Sequence, residues 1–415
     1  MSVLQNIQSV IHRILDSVPV PIYRIVVNGQ DISSKLNNRL IRLTITDHRG
    51  LEADTITLEI SDHDGMVNIP PKDAVIQVWI GWQSSGMVYK GKYSVKETEH
   101  SGAPDVVSIR ATSADLKKNL KKKKERSFDQ KTIEQIITTI AYEHELIPSV
   151  HADLAFISLA HIDQNESDAN LITRIADEHD AIATVKNGIL LFMPKGNAQT
   201  ATGNELPMAV IKREDGDSHR YSMTDGGDDL SGVKAYYYNE KSAKKESVTV
   251  GDTDEYTKDM RHIFRDKETA IHAAQAEYNR VKRKSATFSI SLAQGMPELI
   301  PEMTLSFVGF KSEINNVIWL GTSIQHQIDA SSGFTTQIDA EIQLPDSDDI
   351  AQLIDEEGGT YSGVLAYYKN GTTTQKVSAG DTKSPKRLTY LYKNKATATT
   401  AVNREWKELQ NQKEG

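Results

Sequence analysis

The sequence predicts an α+β protein that is mainly β. Short segments with apolar residues at every second position recur from residue 20 to 116 and again from 201 to 345, as expected of antiparallel strands that bury one face. Between these stretches, apolar residues recur at helical spacing. In the first stretch, several short strands separated by turn residues favour a small antiparallel barrel or a sandwich.

Length and composition limit the classes of protein that the chain can form. A chain of 415 residues is too long for one core, and at roughly 150 residues per domain it should form about three domains. The absence of cysteine excludes disulfide frameworks, thiolate zinc sites and cysteine nucleophiles. A net charge of -9 argues against a dedicated nucleic-acid binder. Because there is no Sec signal pattern and no apolar run of membrane-spanning length, we expect a soluble protein without a membrane anchor.

An amphipathic helix is predicted for residues 1–19, because apolar residues between Val3 and Val18 follow helical spacing until Pro19 and Pro21 end it. Two placements of this helix are open. It packs on its own domain, or it docks on a neighbouring subunit.

The first β-domain, residues 20–116, contains the clearest hairpin of the chain, between Arg39 and Gly65. Two runs of alternating apolar residues flank a turn at 47–50. An isolated hairpin is marginal in water, so its apolar face needs further strands or another subunit. Ile56 and Leu58 are therefore predicted to be buried and are candidate interface residues.

An α/β domain is predicted for residues 117–200. It begins with the basic run Lys117–Arg126, which lacks the interleaved aromatic residues of a nucleic-acid surface and is interpreted as a solvated linker. Thr132 and Gln135 are spaced like a capping box at the start of a helix. A second helix is predicted for 167–179, followed by a hairpin that turns at Lys186-Asn187-Gly188.

The second β-domain, residues 201–345, returns to the strand pattern with one inserted helix at about 266–284. The C-terminal extension, residues 346–415, repeats the 230–284 unit as a small strand-hairpin-helix element. The repeat is visible in SGVKAYY at 231–237 and SGVLAYY at 362–368, in GDT at 251–253 and 380–382, and in the pairing of Tyr278 with Trp406.

Two acidic clusters suggest a cation site, but turn formation explains them as well. Residues 62–65 and 225–229 place Asp before Gly, as calcium loops do. Neither cluster continues to the glutamate that an EF-hand loop has at position twelve. Since Asp and Gly are common turn residues, we predict turns and no metal.

Two pairs of carboxylates fit the geometry of glycoside hydrolysis. They are Glu52 with Asp54 and Glu97 with Glu99. Residues two apart on a strand share a face, which fits the solvated face of a sheet equally well. Because no short catalytic or nucleotide-binding motif occurs, we predict no enzyme activity and no cofactor.

Five stretches of the chain resemble the late control protein D family, the baseplate hub proteins of contractile-tailed phages and related phage-like particles. The stretches are collinear and cover most of residues 20–345, which makes the resemblance far more specific than a short motif. They are RLIRLTITDHRGLEADTITLEISDHDG (39–65), ETEHSGAPDVVSIRATSADL (97–116), HIDQNESDANLITRIADEHDAIATVKNGILLFMPKG (161–196), REDGDSHRYS (213–222) and ATFSISLAQGMPELIPEMTLSFVGFKSEI (286–314).

The resemblance implies a structural hub without catalytic residues. It implies two tube-like antiparallel β-barrel domains per subunit, with the α/β domain inserted between them. A homotrimer would then present a pseudo-sixfold ring to the tail tube and a threefold surface to the central spike. The hub would lie in the tail baseplate of the virion after assembly in the cytoplasm of the bacterial host. Contacts between subunits would give the opening hairpin a reason to leave an edge or a face for another chain.

The resemblance ends near residue 345, so the role of the extension stays open. It decorates the hub, or it contacts the spike, the tape-measure protein or another baseplate component. Two alternatives from other functional classes are a tail-associated peptidoglycan hydrolase and a module that binds a glycan or a partner protein. The aromatic residues of the extension suit an interface and equally suit core packing. They are Tyr367, Tyr368, Tyr390, Tyr392 and Trp406.

Overall fold

The computed structural model consists mostly of strands, with a few helices. No helix among the described residues is long and apolar enough to cross a membrane. The predicted N-terminal helix, the acidic cluster at 225–229 and Asn187 of the predicted turn lie outside the described residues. The structure describes residues 19–113, 118–186, 188–196, 206–224, 231–239, 242–251, 257–344, 363–370, 373–380, 385–392 and separate positions between 395 and 410.

The first part of the chain forms strands and one short helix. Its elements are β1 (Pro21–Val27), β2 (Gln30–Asp31), α1 (Ser33–Leu36), β3 (Leu40–His48), β4 (Thr55–Ser61), β5 (Val75–Trp82), β6 (Gly86–Ser101) and β7 (Val106–Ser113). The opening hairpin is confirmed, because β3 and β4 pair antiparallel with Leu43 opposite Leu58 and Ile45 opposite Ile56. These apolar side chains are buried, and the residues between them are only partly buried, as strand alternation requires.

The middle of the chain, residues 118–196, forms a unit with two main helices that we call the middle unit. Its elements are a 3-10 helix (Lys118–Lys121), β8 (Lys123–Thr132), α2 (Ile133–Glu143), β9 (Ile147–Val150), α3 (Ala152–Ala155), β10 (Ser158–Ser167), α4 (Asp168–Glu178), β11 (Ala181–Lys186) and β12 (Ile189–Pro194). The predicted capping box is confirmed. The Thr132 hydroxyl accepts from the Gln135 amide, and the Gln135 side chain accepts from the Thr132 amide.

The basic run belongs to the middle unit, so its interpretation as a linker is wrong. β8 pairs antiparallel with β10 from Lys123 to Thr132. Lys124 and Arg126 both form ion pairs with Glu143 and Asp168. The sequence pattern misses this role because the opposing carboxylates come from later elements.

The second half of the chain returns to strands and contains one long helix. Its elements are β13 (Ala209–Lys212), a 3-10 helix (Arg213–Asp215), β14 (Gly216–Met223), β15 (Gly232–Asn239), β16 (Lys244–Gly251), β17 (Thr257–Phe264), α5 (Lys267–Arg283), β18 (Ala286–Leu292), β19 (Thr304–Val308), α6 (Ser312–Asn315), β20 (Trp319–Asp329) and β21 (Gly333–Ile342). The inserted helix is confirmed and begins after its N-cap Asp266. β16 and β17 are not predicted from the pattern, because only Val248, Val250 and Phe264 among their residues are buried.

Strands from both halves join in a single thirteen-stranded sheet, which confirms the prediction of a mainly β chain. Its order is β14-β18-β21-β20-β3-β4-β7-β6-β5-β1-β2, with β19 on β20 and β13 on β19. The two halves meet where β3 pairs antiparallel with β20, from Arg42 opposite Asp329 to His48 opposite Ser323. We call this pairing the seam.

The seam changes two expectations. The thirteen strands of the large sheet form an open sheet, and the described strands form no closed barrel. The opening hairpin leaves no edge for another chain, because β20 covers β3 and β7 covers β4. The hairpin pairs with the second half of its own chain instead.

Each part of the chain has its own apolar core. The core of the first half contains Ile56 and Leu58 and crosses the seam to include Ile328 and Phe334. A second core surrounds Trp319 in the second half. The apolar faces of α2 and α4 enclose a third core in the middle unit.

Two small sheets outside the large one have the same architecture. The first consists of β15, β16 and β17, and the second of β22 (Gly363–Asn370), β23 (Thr373–Gly380) and β24 (Pro385–Tyr392). In each, the first strand lies between an antiparallel and a parallel partner. The parallel pairing shifts register at the corresponding point, between Lys234 and Tyr236 in one sheet and between Leu365 and Tyr367 in the other.

Candidate functional site

The turn of the opening hairpin is the point where the parts of the chain meet. We call residues 47–51 the central turn. Asp47 contacts the first half, Arg49 contacts the second half, and Leu51 packs on the core of the middle unit. Gly50 has a φ of 78°, and a Cβ there would lie 3.7 Å from a carbonyl oxygen of β11. The contact itself would be an ordinary one, but the left-handed conformation favours glycine.

The first contact of the central turn is a buried ion pair with Lys90 of β6. Lys90 Nζ lies 2.8 Å from Asp47 Oδ2, and the Lys90 side chain is only 2% exposed. The same ammonium group donates to the carbonyl oxygens of Pro297 and Leu299 at 3.3 and 3.2 Å. Since a buried charge needs partners of this kind, Lys90 links the two halves of the sheet.

The second contact is made by Arg49, which pairs with two carboxylates of the second half. Its Nε faces Glu302, and its Nη1 lies 2.6 Å from Glu341 Oε1. Burial acts to lower the pKa of Arg49, but the two carboxylates outweigh it, so this pKa lies above its ordinary value. Glu302 also accepts from the Gly196 amide at 3.1 Å. One cluster therefore joins the central turn, the second half and the end of the middle unit.

Asp54 fixes the central turn from the other side of the loop. Its carboxylate accepts from the His48 amide at 2.9 Å and pairs with Lys186 of β11. Burial raises the pKa of Asp54, and Lys186 opposes this rise. The sequence suggests Asp54 and Glu52 as a catalytic pair, but Glu52 is 71% exposed, so the two carboxylates have different surroundings.

The middle unit is also anchored on α5. Asp180, which follows α4, accepts from the two terminal nitrogens of Arg283 at 2.5 and 2.6 Å. It accepts in addition from Asn279 Nδ2 at 2.7 Å. Arg283 and Asn279 are both buried, so this anchor is a built contact and not a surface ion pair.

The anchors surround a cleft of about 1020 Å³ between the central turn, α4 and α5. Most of its charged side chains pair with one another, for example Arg280 with Glu277 and Lys195 with Asp177. The ion pairs and hydrogen bonds around the cleft therefore hold the parts of the chain together. We call the contacts made by Asp47, Arg49, Asp54 and Asp180 the central joint.

The structure places the predicted interface residues mostly inside the chain. Ile56 and Leu58 are each about 1% exposed and belong to the core of the first half, so any effect on assembly would act through folding. Tyr368 is 5% exposed and donates to Gln375 Oε1 at 2.8 Å. Trp406 packs on the same small core. The side chains of Tyr367, Tyr390 and Tyr392 lie outside what the structure describes.

The other carboxylate pair lies on the exposed end of β6. Glu97 is 57% exposed and pairs with Arg110 at 3.2 Å. Glu99 is also exposed. An exposed pair of this kind lacks the water-excluding apolar surroundings in which a carboxyl group acts as a general acid.

The acidic cluster at 62–65 forms a turn, as predicted. Asp62 Oδ1 accepts from the Val67 amide at 2.9 Å, and Asp64 Oδ1 accepts from the Met66 amide at 3.1 Å. Gly65 has a φ of 67°. Backbone amides and Arg39 engage these carboxylates, which is the ordinary chemistry of Asx turns.

One group of three side chains in the described residues has all of its possible ligand atoms within 4.8 Å of one another: Glu143, His144 and Asp168. Lys124 Nζ lies 2.6 Å from both carboxylates, and Arg126 pairs with both as well. Burial acts to raise the pKa of Asp168, but hydrogen bonds outweigh it and the pKa is lowered. Two fixed cations thus neutralise the carboxylates that a metal ion would need.

The two ends of the sheet differ in their free hydrogen-bonding groups. Among the described strands, β14 pairs only with β18. At the other end, β2 covers part of β1, and the Ile25 amide and carbonyl are satisfied by Ser33 and Ile32 at 2.9 Å. Of these two ends, β14 is therefore the open edge, and open edges invite pairing with another chain. β13, which among the described strands pairs only with β19, is a further edge strand of the sheet.

Sequence reasoning does not single out Arg49, Lys90, Asp180 or Arg283. Each looks like an ordinary exposed charge, since its partner lies far along the chain. In β6 only Lys90, Tyr93 and Val95 are buried, so no alternation of buried residues marks Lys90.

Known proteins share both the sequence and the fold. The family model described as phage tail baseplate hub (GPD) matches residues 59–332. The chain is 36% identical over 377 residues to the probable baseplate hub protein of Escherichia phage 186, covering 81% of this chain and 96% of that protein. It is 35% identical over 371 residues to the probable baseplate hub protein of Escherichia phage P2, covering 80% of this chain and 95% of that protein.

Among solved structures, the 43 kDa tail protein of prophage MuSo2 from Shewanella oneidensis matches with a TM-score of 0.57 and 14% identity, over 77% of this chain and 98% of that chain. The tail protein from Neisseria meningitidis MC58 matches with a TM-score of 0.56 and 12% identity, over 78% and 96%. At such low identity these likenesses concern the fold. The family match and the two phage relatives together show that the chain belongs to the phage tail baseplate hub family and is a structural component of a phage virion.

Proposed function

We propose that the chain assembles as a homotrimer that joins the sixfold tail tube to the threefold central spike. The observation that carries this proposal is the seam. On either side of it runs a series of antiparallel strands. One series is β20, β21, β18 and β14, and the other is β3, β4, β7 and β6, which continues through β5, β1 and β2. Three copies of a chain with two such halves supply six similar β units around an axis, which matches a sixfold tube.

We assign the two halves, residues 20–116 and 201–345, as tube-like domains, and residues 117–200 as the domain inserted between them. In this proposal the barrel of the tube is built by several subunits, which agrees with an open sheet in one chain. The free edge of β14 is the strand that continues the sheet into the next subunit. The central joint keeps the two halves at a fixed angle, as a ring of set diameter requires.

We also propose that residues 346–415 are a second copy of the 230–284 unit. The shared strand order and register shift support this, as do equivalent buried residues such as Ala235 with Ala366 and Tyr237 with Tyr368. The alignment that places Trp406 on Tyr278 places Lys407 on Asn279 and Asn411 on Arg283. The residues that bind Asp180 are therefore not repeated, which supports a different attachment for the extension.

The test is a mass measurement on the purified chain by light scattering, followed by binding to the tail tube and spike proteins of the same phage. We expect three times the mass of one chain and binding to both partners. A chain that stays monomeric at high concentration and binds neither protein would refute the adaptor proposal. If the hub assembles in the cytoplasm of the host, the trimer should be found in lysates of phage-producing cells before complete tails appear.

A further inference from the structure

A second, smaller cavity lies where the middle unit meets α5. Its volume is about 190 Å³, and its walls include His179, His272, Glu268 and Asp266. His179 caps the C-terminus of α4, while the other three residues belong to α5 or its N-cap. The cavity therefore lies between two segments that are distant in sequence.

His179 is an unusual buried side chain. It is 9% exposed, and both of its ring nitrogens are buried without a hydrogen-bond partner. A neutral imidazole has one donor and one acceptor, and leaving a buried polar group unsatisfied is destabilising. Buried polar groups in folded proteins are nearly always satisfied, so this imidazole calls for a ligand in the cavity.

His272 stands opposite His179 at a distance that suits a shared ion. The two ring centres are 5.3 Å apart, and the ring planes are inclined by 48°. Two imidazoles bound to one tetrahedral ion through nitrogens about 2.0 Å from it have ring centres about 5 Å apart. A neutral imidazole nitrogen that carries no proton can offer its lone pair to a metal ion.

A carboxylate is available beside the two rings. Glu268 precedes His272 by four residues on α5, so both side chains lie on one face of the helix. Glu268 and Asp266 both line the same cavity as His272. Asp266 caps α5 through its bond from the Thr269 amide at 2.8 Å, whereas Glu268 is exposed and can turn toward the rings.

We propose that His179, His272 and Glu268 bind a divalent transition-metal ion of the zinc type, with the two imidazoles preformed and the carboxylate turning in. Two imidazoles and one carboxylate with an open position form a known zinc ligand set. The site differs from the Glu143 group, where Lys124 and Arg126 already occupy the carboxylates. A bound ion would cross-link α4 to α5 and thereby reinforce the Asp180 anchor of the central joint.

The experiment uses the full chain without a histidine tag. Zn²⁺ is titrated into the protein by calorimetry, and thermal unfolding is followed with and without the ion. We expect one ion per chain and a higher Tm with Zn²⁺, because an ion that binds only the folded state stabilises it. His179→Gln and His272→Gln should each weaken binding by roughly a hundredfold, since losing a ligand costs at least as much as losing a residue that supports one.

The matched control is His161→Gln. His161 is an exposed imidazole that pairs with Asp129 and Asp163, so it represents adventitious binding at the surface. Its loss should leave the affinity unchanged. The metal-free variants are first compared with the parent by circular dichroism, so that loss of binding is not loss of fold.

Three results would overturn the proposal. One is the absence of saturable binding, which would mean that only water fills the cavity. Another is binding that is lost in His161→Gln and retained in His179→Gln. The third is unchanged Zn²⁺ binding, with an unchanged rise in Tm, in a chain that carries both His179→Gln and His272→Gln.

Discussion

The acidic and basic residues of the central joint are largely buried, except Lys186, whose side chain is 41% exposed. Arg49, Lys90 and Asp54 lie between parts of the chain and not on its outer surface. A buried ion pair need not be more stable than an apolar contact, but removing one member leaves the other charged and unsolvated. At the scale of single residues, removing one partner from the central joint should therefore lower the free energy of unfolding far more than removing one partner from a surface ion pair.

Replacing Arg49 tests this difference. Arg49→Met leaves Glu302 and Glu341 without their cation, so we expect the free energy of unfolding to fall by about 3–5 kcal/mol. Arg42→Met is the matched control, since the Arg42 pair with Glu59 is at the surface, at 3.6 Å, with side chains 46% and 32% exposed. It should cost less than about 1 kcal/mol. Urea unfolding of both variants measures the difference, and equal losses would contradict the role of the joint.

The pH dependence of the free energy of unfolding should reflect the protonation of His326. This side chain is 1% exposed and contacts Thr336 Oγ1 at 2.9 Å. Burial first, and then the charge of Lys90, hold the pKa of His326 well below 6.5. The unfolded chain therefore binds a proton as the pH falls below 6.5 while the folded chain does not, so this residue lowers stability there by up to about 1.4 kcal/mol per pH unit.

Two substitutions isolate that contribution. His326→Gln should flatten the loss of stability between pH 6.5 and 5, measured by urea unfolding at each pH. His63→Gln, at an exposed position, should keep the slope of the parent chain. An unchanged slope in His326→Gln would show that other groups cause the acid sensitivity.

At the scale of elements, the edges of the sheet decide what the protein can join. The opening hairpin lies in the interior of the sheet, and the far end at β1 is partly covered. β14, in contrast, has a described strand on one side only, so its other side faces outward from the sheet. Thr224 N donates to Ser285 O at 2.9 Å, and because amides alternate in direction along a strand, the Met223 amide points away from β18.

Met223→Pro removes that outward amide. Met223 is 61% exposed, so the change should leave the fold of one chain intact while it disrupts pairing with a neighbouring subunit. Met223→Thr keeps the amide and is the matched control. Light scattering should show a smaller assembly for the proline variant alone, with unchanged circular dichroism for both. A proline variant of full mass would mean that β14 is not the subunit contact.

At the scale of the whole molecule, the chain combines one continuous sheet with units that keep cores of their own. The core of the extension contains Val364, Ala366, Tyr368, Ala398 and Val402, and it is separate from the cores of the sheet and the middle unit. Separate cores predict that the extension can be removed without loss of the rest.

Deletion of residues 346–415 tests this separation. The shortened chain should keep its Tm within about 2 °C, since no core of residues 19–344 loses a member. Its assembly mass should scale with the shorter chain. Unchanged particle assembly and host adsorption would leave a binding role for the extension without support, and a collapse of the remaining chain would show that the extension belongs to the fold.

Much of the fold follows from local pattern. Alternation places Leu43, Ile45, Ile56 and Leu58 in the core, and the Thr132–Gln135 spacing starts α2 where the structure has it. The basic run shows the limit of this reasoning. Its charges look solvated until Glu143 and Asp168 arrive from elements that are distant in sequence.

The sequence by itself determined that the chain is mainly β, where most strands and helices lie, and through its collinear resemblance the family to which it belongs. Only the tertiary structure decided that β3 pairs with β20, that the central turn joins three parts of the chain, and that β14 is an open edge. The reason is physical. Periodicity reflects which face of an element is buried, whereas strand partners and ion pairs depend on contacts between residues up to 292 positions apart, as between Arg49 and Glu341.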